Sequence, residues 1–377
     1  MIGGLETVRV AGARSRAAAG FVGLPFSVYR ANANWVPWFR GDVRALIERK
    51  HPFFEHSSGD FFIVRRDSRV CGRIAVMENT RYNRQHSMRS AHFYFFDFID
   101  DGDVARSLVM AAADWARSRK LDILIGPMGF GGLTGGGVLI DGFNSRAAMT
   151  MMSYNHPYYR TYLEQNSFAK FIDQYSAYLD PGSFELPARV ERLARRVLER
   201  GRFKVLRFKR KADLKKVAFQ VGQIYNETET DKIATYTYSD AELRYVINDL
   251  LVVADLSLAK VLAYRDEVCG FLLGFPDLSA AIQRANGRFS PWSLVQLLRE
   301  TKKTRSLIIN GMGILPRFQR LGGNALLYYE LAQTARSRRF DQVDLTQIAE
   351  TTGLMLSDIT ALGAKIYKTH RIYQLRL

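Results

Sequence analysis

The sequence predicts an α+β (mixed α/β) protein made of two tandem domains, each a central mixed sheet flanked by helices. Three observations carry this. A strand, an Arg-Asp turn and a Val-Cys-Gly strand occur twice, as FFIVRRDSRVCGRIAV at 61–76 and KVLAYRDEVCGFLLGF at 260–275. Each copy is followed by another apolar strand and then by a helix with one apolar face. The chain has 377 residues, enough for two ordinary cores, and 47% of them are hydrophobic, which excludes a disordered chain.

The elements follow in order. Arg66-Asp67 and Arg265-Asp266 each separate two apolar runs, the pattern of a β-hairpin. After the first hairpin, HFYFFDFIDD from His92 reads as a strand and the Ala-rich stretch 103–120 as a helix. LDILIGPM from Leu121 is a strand that leads into the Gly-rich turn 131–137. Pro, Gly and Ser cluster at Asp180-Pro181-Gly182, where a domain ends. The division is then an N-terminal domain at 1–180, a basic helical connector at 181–216 and a C-terminal domain at 217–377. The second hairpin leads into an insertion with Pro276 and Pro291, the strand SLIINGMGIL from Ser306, and a helix over 324–339. DQVDLTQIA from Asp341 is a strand, GLMLSDITALG from Gly353 a helix, and AKIYKTHRIYQLRL from Ala364 a final strand.

Charge speaks to partners and not to fold. The formal net charge is +17, and 189–216 alone holds thirteen Lys and Arg against three acids. Val190, Leu193, Ala194, Val197 and Leu198 recur there at helical spacing, with arginines on the other faces. Such a helix is a solvated connector, or a surface for anionic lipid head groups or an acidic carrier protein. No nucleic-acid-binding motif accompanies the charge, so nucleic acid is not an expected partner. Two cysteines make no disulfide framework, and His51 and His56 without a third ligand make no metal site. No apolar run approaches the roughly 18–20 residues of a membrane span. The N-terminus has Arg9, Arg14 and Arg16 but no long apolar stretch, which predicts a cytoplasmic protein, peripheral on the inner face of the membrane if 189–216 meets lipid.

The most informative segment is ILPRFQRLGGNALLYYEL at 314–331. A strand ends, Pro316 breaks it, a turn rich in Arg, Gln and Gly follows, and a helix begins at once. Unpaired amides and the positive end of the helix dipole then face outward with little side-chain bulk before them, which suits an anion. The spacing is that of neither a Walker loop nor GxGxxG.

Strand, Pro316, Gln319-x-x-Gly322-x-Asn324 and helix together resemble the acyl-CoA-binding segment of the GNAT acyltransferases, in which a small residue stands where this chain has Asn324. More of the chain is similar to one subgroup, the double-domain GNAT-like acyltransferases that include the bacterial ceramide synthases. NWVPWFRGD at Asn34, HPFFEH at His51, VCGRIAV at Val70, YNHPYY at Tyr154, FPDL at Phe275 and HRIYQ at His370 carry that likeness. It departs at Thr352, where the subgroup has Asn, and in the Gly-rich turn, which lacks the polar residues of many relatives.

The resemblance implies two GNAT-like domains, the first degenerate, and one donor site in the second. Gln319, Arg320, Leu321, Gly322, Gly323 and Asn324 would hold the pyrophosphate of acyl-CoA, and Ile314 and Leu315 would end the strand that polarises the thioester carbonyl. Acyl-CoA, or an acyl carrier protein, would be a co-substrate, with no cofactor bound permanently and no metal. Glu350 is the candidate base and Tyr367 the candidate acid, with Tyr373 a competitor. Asn155, Tyr158 and Asn226 are candidates to face the acceptor. The activity implied is N-acyl transfer to a lipid-like amine such as a sphingoid base. The alternatives are a small-molecule or peptide N-acetyltransferase of the same fold and a non-catalytic acyl-CoA or carrier-binding module.

Overall fold

A computed structural model describes residues 4–131, 134–180, 186–230 and 232–377. Gly132 and Leu133 of the Gly-rich turn, and Pro181 and Gly182 of the expected boundary, lie outside the described residues. The chain divides into two compact units: unit 1 is 1–175 with 279–294 and 368–377, and unit 2 is 176–278 with 295–367.

The first part of the chain forms β1 (Leu5–Arg9), α1 (Arg16–Val28), α2 (Arg40–Ile47), β2 (Ser58–Arg66), β3 (Arg69–Glu78), α3 (Thr80–Gln85), β4 (Ser90–Phe98) and α4 (Gly102–Ser118). It continues with β5 (Ile123–Gly126), β6 (Val138–Asp141), α5 (Tyr158–Gln165) and β7 (Ala169–Leu179). Then come α6 (Ala188–Glu199), β8 (Phe203–Leu206), α7 (Lys211–Glu229), α8 (Asp240–Val253), β9 (Ala259–Tyr264), β10 (Glu267–Pro276), α9 (Ser279–Ala285) and α10 (Pro291–Lys303). Last are β11 (Ser306–Ile314), α11 (Gly323–Ser337), β12 (Gln342–Ala349), α12 (Gly353–Ala361) and β13 (Lys365–Arg376).

The duplication extends to the register. In unit 1, β1 to β4 are antiparallel neighbours in sequence order, and β4 pairs in parallel with β5 from Ser90↔Ile123 to His92↔Ile125. In unit 2, β8 to β11 repeat that order, and β11 pairs in parallel with β12 from Ser306↔Gln342 to Ile309↔Leu345. Both hairpins form, and each slips register once, between Val64 and Arg65 and between Val268 and Gly270. The two cysteines are buried at matching points: the Cys71 thiol donates to Val64 O at 3.2 Å, and that of Cys269 to Leu262 O at 3.5 Å. They pack as small apolar residues.

Each unit has its own core. α4 lays Val104, Leu108, Ala112 and Ala116 on β3 and its neighbours in unit 1. α11 does the same in unit 2 with Leu326, Leu327, Leu331 and Ala335. This is the one-sided burial that the 3.6-residue spacing requires.

Two expectations need correction. The stretch 181–216 is more than a connector. Its helix α6 buries Ala194 and Val197, and its strand β8 extends the sheet of unit 2 beside β9. Of the apolar stripe within the arginines, Ala194 and Val197 are therefore core and Val190 packs half-buried against them, while Leu193 and Leu198 stay exposed. The last strand does not stay with the C-terminal domain, because residues 368–377 belong to unit 1. There β13 pairs antiparallel with β5, Tyr373↔Gly126 to Arg376↔Ile123. Arg371 supports this placement with a bidentate pair to Asp173 at 2.8 and 2.9 Å.

Candidate active site

Unit 2 opens where its parallel strands separate. β11 and β12 are paired only as far as Ile309 and Leu345. Beyond that point the ladder between β10 and β11 slips, and Asn310 and Gly311 together stand opposite Leu273. Gly311 takes φ 102°, a left-handed value that glycine adopts freely. Unit 1 has the same bulge, with Phe95 at φ 48° in the equivalent place. A side chain bridges the opening in unit 2: Asn310 Nδ2 donates to Gln347 Oε1 at 3.0 Å. Ligands of open α/β sheets bind beyond the carboxyl ends of parallel strands, which is where this opening lies.

The turn at 316–322 stands at the end of β11. Pro316–Phe318 forms a single 3-10 turn. The amide Nε2 of Gln319 donates to Ile314 O at 2.9 Å and so closes the turn on the strand it left. Gly322 is the N-cap of α11, at φ 92°, and no side chain caps the first amides of that helix. A Cβ on Gly322 would lie 2.7 Å from Val197 Cγ2, so α6 packs against the turn itself. Arg192 and Arg196 of α6, the helix that makes this contact, are exposed. Arg317 pairs with Glu267, while Arg320, at φ 60°, and half-exposed Leu321 sit at the tip. The result is a helix N-terminus with open amides, a close backbone approach and nearby arginines, which is what an extended anion requires.

The corresponding corner of unit 1 is closed. Ile99 N–H donates to Cys71 O at 3.0 Å, as Leu315 N–H does to Cys269 O at 2.9 Å. From there unit 1 reaches its helix cap, Asp101, through Asp100 alone, whereas unit 2 has residues 316–321 before Gly322. The Asp101 carboxylate accepts from Asp103 N at 3.0 Å and Val104 N at 3.2 Å, and pairs with Arg66 at 2.9 Å. Burial opposes its charge, but the Val104 amide and Arg66 outweigh burial and hold the carboxyl below its usual range. A fixed carboxylate thus occupies the place an anion would take. The counterpart of the turn is this corner, and not the Gly-rich turn 131–137.

The remaining expected residues fall as follows. Glu350 is half-buried just after β12, at the entry to α12, where Thr352 N–H and Oγ1 both donate to Ala349 O. Tyr367 is held by Asp344 in unit 2. Burial first, then the Asp344 charge and the hydrogen bond to it, push the phenol far above its ordinary range. Tyr373 lies in unit 1, buried, with its hydroxyl on Glu164 at 3.2 Å. The amide of Leu315 is committed to Cys269 O, leaving 312–314 as the strand amides next to the bulge.

The three acceptor candidates use their polar atoms on backbone. Asn155 is buried, accepts from Leu139 N at 2.7 Å and donates to Leu139 O at 3.2 Å. Tyr158 donates to Phe98 O at 2.6 Å. Asn226 clamps Tyr238 through both its N–H and its carbonyl, at 2.8 and 2.9 Å. Among the described residues no group of three His, Cys, Asp or Glu side chains is disposed to hold a metal.

The sequence reading missed Asn310, Gln347 and Asp344. The signal was present in β12, where Asp344 and Thr346 alternate with Val343 and Leu345 and mark a strand with one polar face. Val343 and Leu345 line an apolar cavity of about 80 Å³, walled also by Leu272, Leu307, Met312 and Met355.

Comparisons with known proteins bear on the fold. No family model matches the chain. Protein YghO of Escherichia coli is 24% identical over 368 residues, which is 94% of this chain and 91% of that protein. The bacterial ceramide synthase of Caulobacter vibrioides is 26% identical over 362 residues, 94% of this chain and 93% of that protein. Among solved structures, a tandem GNAT protein from the clavulanic acid biosynthesis pathway superposes with a TM-score of 0.54 at 12% identity, covering 99% of this chain and 98% of that one. A GCN5-related glucosamine N-acetyltransferase region of a fungal multi-domain β-N-acetylglucosaminidase gives 0.57 at 9% identity, over 98% of this chain and 38% of that one. The chain is therefore a double-domain protein of GNAT-like fold, similar along nearly its whole length to a bacterial ceramide synthase.

Proposed function

We propose that this protein is an N-acyltransferase that moves a fatty acyl group from acyl-CoA, or from an acyl carrier protein, to the amine of a lipid-like acceptor. The observation that carries the reading is the difference between the two corners. Unit 2 has an uncapped helix N-terminus behind a long turn, and unit 1 closes the same corner with Asp101. One donor site follows, with residues 319–324 on the pyrophosphate and the arginines of α6 beside it. The similarity to a ceramide synthase supports a sphingoid base as acceptor. A fatty acyl group would enter the apolar cavity between β11, β12 and α11 only by widening it, since about 80 Å³ holds no more than a few methylenes; Met312 and Met355 are the flexible wall residues that would repack.

In this reading the neutral amine attacks the thioester carbonyl. A C–N bond forms, the C–S bond breaks, and the amine proton passes to a base while the thiolate takes up a proton. Backbone amides of 312–314 polarise the carbonyl. Glu350 is the candidate base, directly or through water. No covalent acyl-enzyme is needed, so no nucleophile is assigned.

Chain-length preference tests the proposal. Purified protein should release CoA from palmitoyl-CoA in the presence of sphinganine. Turnover of acetyl-CoA with hydrophilic amines and none of palmitoyl-CoA would replace it with a small-molecule N-acetyltransferase. Tight binding of both donors without turnover would make the protein a binding module.

A further inference from the structure

Helix α10 presents to solvent a face that does not suit water. Trp292 is 62% exposed, Val295 39% and Leu298 46%, and Phe289 just before the helix is 61% exposed. At 100° per residue, Trp292, Val295 and Leu298 share one side of the helix with Arg299 and Lys302. The opposite side is buried through Ser293 and Leu297, each 4% exposed. The ring of Phe39 meets Phe289 edge-on at 5.4 Å and widens the apolar end. Arg284, Arg288, Arg299, Lys302 and Lys303 are all exposed, and Glu300 is the one acid in 284–303.

An exposed cluster of aromatic and aliphatic side chains marks an interaction surface. A short helix with a Trp-led apolar end and a Lys/Arg-rich end on the same outward side fits the boundary between head groups and acyl chains. We infer that α10 docks this protein on an anionic bilayer. Phe289, Trp292, Val295 and Leu298 enter the head-group boundary, and Arg299, Lys302 and Lys303 hold lipid phosphates. Charge favours this occupant over a second copy, because isologous pairing would bring cationic rims together. It also separates α10 from α6. Ala194 and Val197 of α6 are buried in unit 2, and its arginine face has no aromatic to insert. The inference does not depend on acyl transfer.

The test is co-sedimentation of the full chain with vesicles of phosphatidylcholine alone and of phosphatidylcholine mixed with phosphatidylglycerol. The wild type should partition onto mixed vesicles at least tenfold better than onto neutral ones, with a blue shift in tryptophan emission. Trp292→Ser/Leu298→Ser and, separately, Lys302→Glu/Lys303→Glu should each lower that partition tenfold or more, with unchanged melting. Val295→Ser replaces either variant if it melts early, since it leaves the buried Leu297 side intact. Arg192→Glu/Arg196→Glu should change partition less than either. Four results would overturn the assignment: no binding by the wild type, unchanged binding by the α10 variants, loss confined to the α6 variant, or an α10 variant that only turns a dimer into a monomer.

Discussion

Replacing Asn324 by Asp tests the anion turn with a nearly isosteric change whose two effects have opposite signs. Asn324 is the second residue of α11, half-exposed, at a helix start with no capping side chain. A carboxylate there faces the positive end of the helix dipole and should stabilise the fold by about 0.3–1 kcal/mol. That raises the melting midpoint by about 1–3 °C. The same charge repels a bound phosphate. Two unit charges about 4 Å apart interact by ~1 kcal/mol in water, and a pyrophosphate carries roughly two charges. The expected loss is therefore about 2 kcal/mol, or ~30-fold in CoA affinity at low salt. Calorimetric titration of CoA into both proteins, at low and high salt, measures it, and salt should shrink the difference. Equal affinity at low salt, with the melting rise present, would show that the anion binds elsewhere and would refute the reasoning.

Further predictions concern buried titratable groups and the apolar cavity. Burial, aided by the charge of His86, lowers the pKa of His92 to about 3, and burial lowers that of His370 to about 4. Both folded values lie below the unfolded one, so this stability is complete above about pH 6.5 and falls with acid by about 1.4 kcal/mol per pH unit for each histidine. His370→Gln, which keeps a donor for Ser153 O, should flatten the acid limb of unfolding in urea between about pH 4 and 6.5. Burial lowers the pKa of Lys260 to about 8, although its ammonium donates to Thr334 Oγ1 at 2.7 Å. Its contribution is present above about pH 10.5 and is lost as pH falls through about 8, so Lys260→Met should raise urea stability at pH 7 by about 1–3 kcal/mol. That gain should vanish at high pH. Leu345→Trp fills the apolar cavity and should reduce palmitoyl-CoA turnover at least about tenfold relative to a short-chain donor. An equal loss for both donors would mean that the cavity does not take the acyl chain.

Much of the fold was legible because it depends on local periodicity. The hairpins at 61–76 and 260–275, α4 and α11 announce themselves by an apolar period and a punctuating turn, and the repeated Val-Cys-Gly reports a shared register slip. The turn before α11 was legible as well, since Pro316, Gly322 and the following helix lie side by side in the chain. What escaped depends on long-range pairing. Nothing within 364–377 says that its end pairs with β5, because alternation specifies a face and not a neighbour. Asp101 escaped for a similar reason. Its place as the cap of that corner emerges only once 99–102 is matched to 315–322. Asn155 precedes α5, Tyr158 opens that helix and Asn226 lies within α7. Their hydrogen bonds to backbone show that polar and aromatic residues serve local geometry as readily as they serve a ligand.

The most direct measurement is a single turnover: excess protein mixed with palmitoyl-CoA and sphinganine, quenched, and analysed by mass spectrometry for amide and free CoA. The account predicts N-palmitoyl product and CoA in equal amounts, with both reduced in parallel by Asn324→Asp. CoA binding with no amide from a sphingoid base or any other lipid amine, or thioester hydrolysis alone, would contradict it.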